Sequence, residues 1–393
     1  MSEPLTLPHG TLLLRAKRWL DMELRPERIN VALAVCGVAV AWVPIVALTG
    51  IGWLVSGKWD PLVLRSEIHV RLVVALSLVF FAWKSLESRT LGVCKSLEAG
   101  DVLPDSSRAA WDGLVEHHRR RVHTRWPEIT LAVGIYLVTL IAYLGALPSG
   151  VLRWVAPTLH DAEPFWRGHT AAWWWYMLVG QPIFLFAIGR WLHHWIVWAR
   201  VLWKLPSLSP RIQPAHADRA GGLGFLSGPL GATRVFVAAL AAALASVWFD
   251  EIKLGRALPA TFAFDFLVFF LLSSALAFVP FARFVPVLFD AKDDGERQFS
   301  AIVRRYVDQF ENRWAAAEDP NREPMLGSSD FQSLADVGNS YCVARDMRII
   351  IPGWDQIRNH LLATVLPIAF IVFARSESAA EVVLRLFSRI VGG

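Results

Sequence analysis

The chain has 393 residues, of which 54% are hydrophobic and only 19% charged, with a formal net charge of +5 and a mean hydropathy of +0.40. Soluble globular domains carry about 45–50% apolar and about 25% charged residues, so this composition excludes a disordered or collagen-like chain, and three cysteines exclude a disulfide scaffold. It points to an all-α membrane protein. Nineteen Trp stand against five Tyr, and many, such as Trp42, Trp53, Trp83, Trp191 and Trp248, fall near the ends of apolar runs. An amphipathic indole suits the membrane–water boundary there.

In chain order, residues 5–24 read as an amphipathic helix on the membrane surface, with Leu12, Leu13, Leu14 and Trp19 against Arg15, Lys17 and Arg18. They belong to an interfacial segment, 1–29, interrupted by Pro26. About seven transmembrane helices are expected, since a crossing needs roughly 20 apolar residues and the alternation of barrel strands is absent. The expected crossings are residues 30–55, 71–84, 128–147, 171–203, 234–249, 259–289 and 360–374. The chain then divides into the first two spans (30–87), a basic cytoplasmic helical segment (88–127), the third and fourth spans (128–203), a Gly-rich cytoplasmic loop (204–233), the fifth and sixth spans (234–289), a cytoplasmic helical segment (290–358), and a last span with a C-terminal amphipathic helix (359–393). With the N-terminus cytoplasmic, the inner segments hold 25 Lys and Arg and the outer ones 9, the asymmetry expected of this orientation.

Three inner segments lie outside the lipid. In the first, residues 106–126 show Trp111, Leu114, Val115 and Val122 on one helical side and His117, His118, Arg119, Arg120, Arg121 and His123 on the other. This basic side reads as an anchor beside the third span or as a lipid-headgroup patch. It is short for nucleic acid and lacks interleaved aromatics, so no nucleic-acid partner is expected. The second segment places His216, Asp218, Arg219, Gly221, Gly222 and Gly224 in one turn. Its backbone N–H groups suit a phosphate or carboxylate, and His216 with Asp218 suits a metal or a proton. The other reading is a tight turn in which Asp218 caps a short helix and the glycines permit close packing.

In the third segment Phe299, Ile302, Val303, Tyr306, Val307, Phe310 and Trp314 recur at helical spacing. They predict a continuation of the sixth span with an apolar stripe, covered by a neighbouring copy or by helix 106–126, and stopped at Asp319-Pro320. Ser329 and Gln332 then suggest a capping box. Beside Asp330, residues Gln332, Asp336 and Asn339 share one face, for a ligand, a cation, a subunit contact or solvent. Arg345, Asp346 and Arg348 follow as its pairing candidates.

The motifs HADRAGGLGF at residues 216–225 and DFQSLAD at residues 330–336, with the Trp-rich run 190–204, resemble a family of uncharacterised bacterial polytopic inner-membrane proteins. That family's first motif carries proline where Ala217 stands. The resemblance covers roughly the second half of the chain. It implies a polytopic helical fold in a bacterial inner (plasma) membrane and imports no activity.

Polar groups inside lipid are costly, about 2.5–3.5 kcal/mol for a charge on insertion scales, and therefore mark candidate sites. Asp265 is the first, as a proton or cation site or as a group reaching outward to Lys253 or Arg256. Gln181-Pro182 marks a kink in the fourth span that lines a cavity or shapes packing, and Arg190, His193 and His194 follow on the same helix. A haem would need His193 or His194 facing another buried His; His360 is expected at a similar depth and His69 on the opposite side, and no cofactor is expected. Glu67, His69 and Arg71 read as an outer vestibule or as surface pairs. No catalytic motif is recognisable. The expected function is a channel or transporter for ions or small solutes. The alternatives are a membrane-anchored assembly or signalling component in a homo-oligomer or membrane complex, and an enzyme on a lipid-linked or phosphate-bearing substrate through His216, Asp218, Asp330 and Asp336. The chain is expected to pellet with membranes, to resist alkaline carbonate washing and to need detergent for release; recovery in a detergent-free supernatant would contradict this reading.

Overall fold

The computed structural model describes residues 26–100, 102–124, 126–143, 170–314 and 327–373. The expected surface helix 5–24, the end of the third crossing, the Asp319-Pro320 stop and the C-terminal amphipathic helix lie outside them. The described residues are helical, with no strand among them. We number the helices α1 (Pro26–Ser56), α2 (Ser66–Ala99), α3 (Asp105–His123), α4 (Trp126–Tyr143), α5 (Ala171–Leu208), α6 (Leu230–Lys253), α7 (Ala263–Phe278), α8 (Phe284–Trp314), α9 (Ser329–Arg345) and α10 (Trp354–Phe373).

Five helical stretches are long and apolar enough to cross a membrane: Ala34–Ser56 in α1, α2, α5, Gly224–Lys253 around α6 and Pro259–Phe281 around α7. Seven were expected. Within the described residues α4 is apolar only over Trp126–Ile141, and α10 is not among the five. The second crossing is longer than its 71–84 core. Helix α2 has 34 residues, about 51 Å at about 1.5 Å per residue, against about 30 Å of hydrocarbon. It therefore runs through residues expected to open the cytoplasmic segment at 88. The sixth crossing is shorter than 259–289, because a 3-10 turn at Val279–Phe281 breaks the rod before α8 restarts. Pro280 and Pro286 withhold N–H donors there, and Arg283 ties the break to α5 by donating to the Trp203 carbonyl at 3.3 Å.

Helix α6 is the centre of the bundle. Of its apolar stretch 72% is buried, against 17% for α1. The run Ala238, Ala239, Ala241, Ala242, Ala243 and Ala245 explains this, since small side chains let neighbouring backbones approach closely. α10, α2 and the start of α7 pack around it. Larger rings fill the remaining space: Phe236 of α6 stacks on Trp191 of α5 at 3.7 Å between centroids, and Trp191 stacks in turn on Trp195.

Proline recurs in the apolar helices, and each of three leaves the carbonyl four residues earlier without its helical donor. Side chains from other helices replace the lost bond. Trp175 Nε1 of α5 donates to the Val40 carbonyl below Pro44 of α1 at 3.0 Å. Tyr136 Oη of α4 donates to the Leu178 carbonyl below Pro182 of α5 at 3.0 Å. Trp195 Nε1 of α5 donates to the Leu276 carbonyl below Pro280 at 2.9 Å.

The apolar stripe of α8 is covered by α9 of the same chain, not by helix 106–126, which packs on α5. Phe331 meets Phe310 edge-on at 4.8 Å and Trp314 at 5.9 Å. Asp330 anchors the hairpin by accepting from Trp314 Nε1 at 3.0 Å, with Arg313 at 3.2 Å. The α9 cap is Ser328, whose hydroxyl accepts from the Asp330 N–H at 3.2 Å, one residue before the expected Ser329.

Replacing Trp175 by Phe orphans the Val40 carbonyl on the outer face of α1, and a polar group left unsatisfied where lipid replaces water costs several kcal/mol. Pro44→Ala restores the helical N–H, so Trp175→Phe is expected to cost less in that background. A double-mutant cycle of detergent unfolding checks this, and additive losses contradict it.

Candidate functional site

The main polar site lies where α2, α5 and α6 meet, near the start of α2. Glu67 is 2% exposed and Arg71 4%. Arg71 Nη1 donates to Tyr176 Oη at 3.0 Å and to Gln181 Oε1 at 2.9 Å, and Tyr176 Oη donates to the same oxygen at 2.9 Å. The guanidinium also sits 5.6 Å from the Phe184 ring centroid. Asp250, at the end of α6, accepts from the N–H groups of Ser66 and Glu67 at 3.2 and 2.9 Å. It thus caps α2 from another helix, because Arg65 at the cap position supplies no side-chain acceptor. Glu67 is left with Arg65 Nη1 at 3.8 Å, and its Oε1 accepts no hydrogen bond among the described residues.

Both helices that build this site change register at it. In α2 a π-helical segment spans Val70–Ala75, and the Leu76 N–H bonds the carbonyl of Arg71. In α5 another spans Tyr176–Gly180, and the Gln181 N–H bonds the carbonyl of Tyr176. Pro182 gives a local cause for the second, since a ring without N–H favours a break in the regular ladder just before it. The first wide segment contains Arg71 and the second begins at Tyr176, and such π turns concentrate at functional sites. Beside them Trp42 Nε1 donates to His69 Nδ1 at 2.9 Å, which leaves the Nε2 proton of His69 for the Val63 carbonyl at 2.7 Å.

A second buried pair joins α4 to α5 further along. Glu128 Oε1 lies 3.1 Å from Arg190 Nε, in ion-pair range without hydrogen-bond alignment. Arg190 also faces the Trp83 ring at 5.7 Å and His193 Nδ1 at 3.3 Å. His194 faces His118 of α3, with ring centroids 6.0 Å apart. His360 is elsewhere, against Phe278 and Ser274, and His69 is engaged as above. Among the described residues no three His, Cys, Asp or Glu side chains group as metal ligands.

The loop at residues 214–226 is locked by its own carboxylate. Asp218 accepts from the N–H groups of Ala220, Gly222 and Gly224 at 2.8–3.0 Å, and His216 Nδ1 lies 2.9 Å from Oδ1. Burial disfavours the charge, and these donors together outweigh it, holding the carboxyl below its ordinary value of 3.8. The backbone donors that would cradle a phosphate are thus taken by Asp218, which closes the turn itself; the short helix that follows, Gly224–Ser227, has Leu223 and not Asp218 at its cap position. Gly221 and Gly222 adopt φ of +67° and +85°, and a Cβ on Gly221 would overlap Ile212. Arg348 closes the loop from beyond α9: its N–H donates to the Arg219 carbonyl at 2.7 Å and its Nη2 to the Asp218 carbonyl at 3.0 Å. A cavity of about 400 Å³ remains beside His216, between the loop and the end of α2.

The other expected residues fall apart in space. Asp265 sits in the first turn of α7, where it faces the positive end of the helix dipole, and the main site does not include it. Arg256 lies 3.8 Å from Glu251. Gln332 donates to Asp336 at 3.0 Å on the exposed face of α9 that also carries Asn339. Gln181, Pro182 and Arg190 lie at the buried sites. Tyr176, Asp250 and Glu128 were not expected at a site, and Glu67 and Arg71, read from the sequence as an outer vestibule or surface pairs, are both buried. A Glu and an Arg four apart at the start of an apolar run were the legible signal; the partners on α4, α5 and α6 leave no sequence trace. No family model matches the chain, and no curated protein or solved structure matches it.

Asp218→Asn removes the charge that three N–H groups serve. Because the folded carboxyl titrates below its ordinary value, its stabilisation is present above pH 3.8 and is lost as the pH falls through the folded value. The variant is therefore expected to unfold more easily than the parent at pH 7, with the gap shrinking under acid. An equal gap at both pH values contradicts this.

Proposed function

We propose that the chain is a channel or transporter for ions or small solutes, in which Glu67 is the exchanging group. The observation that carries the proposal is the buried Arg71–Tyr176–Gln181 network, with buried Glu67 four residues before Arg71 on the same helix and a π-helical segment in each of the helices α2 and α5. Arg71 is committed to Tyr176 and Gln181, so a protonation or cation exchange at this site falls on Glu67, whose Oε1 accepts no hydrogen bond among the described residues. Ionised Glu67 balances Arg71; protonated Glu67 leaves the guanidinium to Tyr176 and Gln181. The two π turns supply helical segments whose register can change with that charge.

The topology proposed with this function has seven crossings, α4 and α10 completing the five, with a cytoplasmic N-terminus. The location is a bacterial inner membrane, and kinship with the family above rests on its two motifs. A second reading, an assembly or signalling component, is favoured by one observation: α8 and α9 form a hairpin whose polar face at Gln332, Asp336 and Asn339 stays exposed.

Proteoliposomes under a pH gradient test the first reading. The wild type is expected to carry H⁺, Na⁺ or K⁺ flux above that of empty vesicles, Glu67→Gln to fall to the empty level, and Asp265→Asn to leave flux unchanged. Wild-type flux equal to empty vesicles for every ion overturns it and leaves the hairpin reading, which recovery of a partner from native membranes would support.

A further inference from the structure

A groove of about 510 Å³ runs between α1 and α2, within the range of small-molecule sites. Val35, Val38 and Val43 of α1 and Val73, Phe80 and Phe81 of α2 line it. Its two polar atoms inside the walls are spent: Ser77 Oγ donates to the Val73 carbonyl at 2.6 Å, and Trp42 Nε1 donates to His69. Lys84 closes one end, exposed and without a hydrogen bond or ion pair among the described residues. The depth is informative. From Ser66 to Lys84 is about 27 Å and from Val73 to Lys84 about 16 Å along α2 at about 1.5 Å per residue, against a hydrocarbon core of about 30 Å. The groove therefore occupies one leaflet, with an ammonium at that leaflet's headgroup level.

We infer that this groove is a binding site for one anionic phospholipid, an acyl chain lying between α1 and α2 and the phosphate pairing with Lys84. An apolar trough a leaflet deep matches a hydrocarbon chain, and Lys84, the one cation among the described residues lining it, selects a headgroup of net negative charge over a zwitterionic one. The orientation in which inner segments carry the excess of Lys and Arg puts this mouth at the inner leaflet, where anionic lipid is concentrated. The inference needs α2 to cross the bilayer and is independent of any transport by Glu67.

The test uses the full-length chain, delipidated in mild detergent and returned to equal parts of dioleoyl phosphatidylglycerol and dioleoyl phosphatidylcholine, with retained lipid counted by native mass spectrometry. One basic residue at an anionic headgroup gives about a fivefold preference. The wild type is expected to retain phosphatidylglycerol in about that excess, Lys84→Arg to keep the preference and Lys84→Gln to lose it. Lys84 is exposed, so the melting temperature should not move. Ala39→Trp, which fills the groove, should lower retention of both lipids. Equal retention by the wild type, or a preference untouched by Lys84→Gln, overturns the inference. A rise in retained lipid only after deletion of residues 1–25 also overturns it, by making the chain's own N-terminal segment the occupant.

Discussion

Backbone N–H and C=O groups have no water to turn to inside a bilayer, so each must find a partner within the protein. At three prolines in or beside the apolar stretches, Pro44, Pro182 and Pro280, the described helices meet this demand with side chains. Val40, Leu178 and Leu276 each lie four residues before a proline, and each carbonyl accepts from a Trp or Tyr of a different helix. The bonds do more than restore a lost hydrogen bond. They fix which helix faces which, at what depth and in what rotation, because an indole N–H reaches a carbonyl in one orientation only. α1 is thereby tied to α5, α5 to α4, and the break after α7 to α5. The abundance of Trp thus has a second cause beside interfacial preference.

The same demand explains the end of α6. Its alanines bring α2 and α10 close, and that closeness lets Asp250 reach the first N–H groups of α2. A carboxylate spent on a helix N-terminus gains from the dipole as well as from two hydrogen bonds. Asp250 is therefore a poor exchange group despite its burial, and Glu67, one residue into the helix that Asp250 caps, is the carboxylate left with an open oxygen.

Composition and apolar run length made the helical class legible and located the five helical stretches long and apolar enough to cross a membrane, because an apolar surround writes itself locally into the chain. Depth was harder to read. Asp265 stays within the apolar stretch Pro259–Phe281, but the α-helix begins only at Ala263, so the aspartate stands in a first turn and not along the helix. The sixth apolar run continues across Pro280 while the helical hydrogen bonding does not, so this stretch is shorter than 259–289 and is interrupted between Val279 and Phe281. The apolar stripe of α8 was legible, but its cover by α9 was not, since the choice among α9, helix 106–126 and a second copy depends on the turn between helices. The pairs Arg71–Gln181 and Glu128–Arg190 join residues that are distant in sequence, and a single chain holds no local sign of either.

Buried ion pairs are weak sources of stability, and well-packed apolar residues often serve as well or better. Arg71 is a costly way to hold α2 against α5, where a Leu and a Phe would pack without desolvating a guanidinium. Its position is also fully determined by Tyr176, Gln181 and Phe184, so it has little freedom to follow a moving partner. Fixed charge, fixed geometry and an adjacent carboxylate with one open oxygen form an asymmetric pair, one member constant and the other able to change. A purely architectural contact has no use for that asymmetry, nor for two helices that both leave regular α geometry at the same residues.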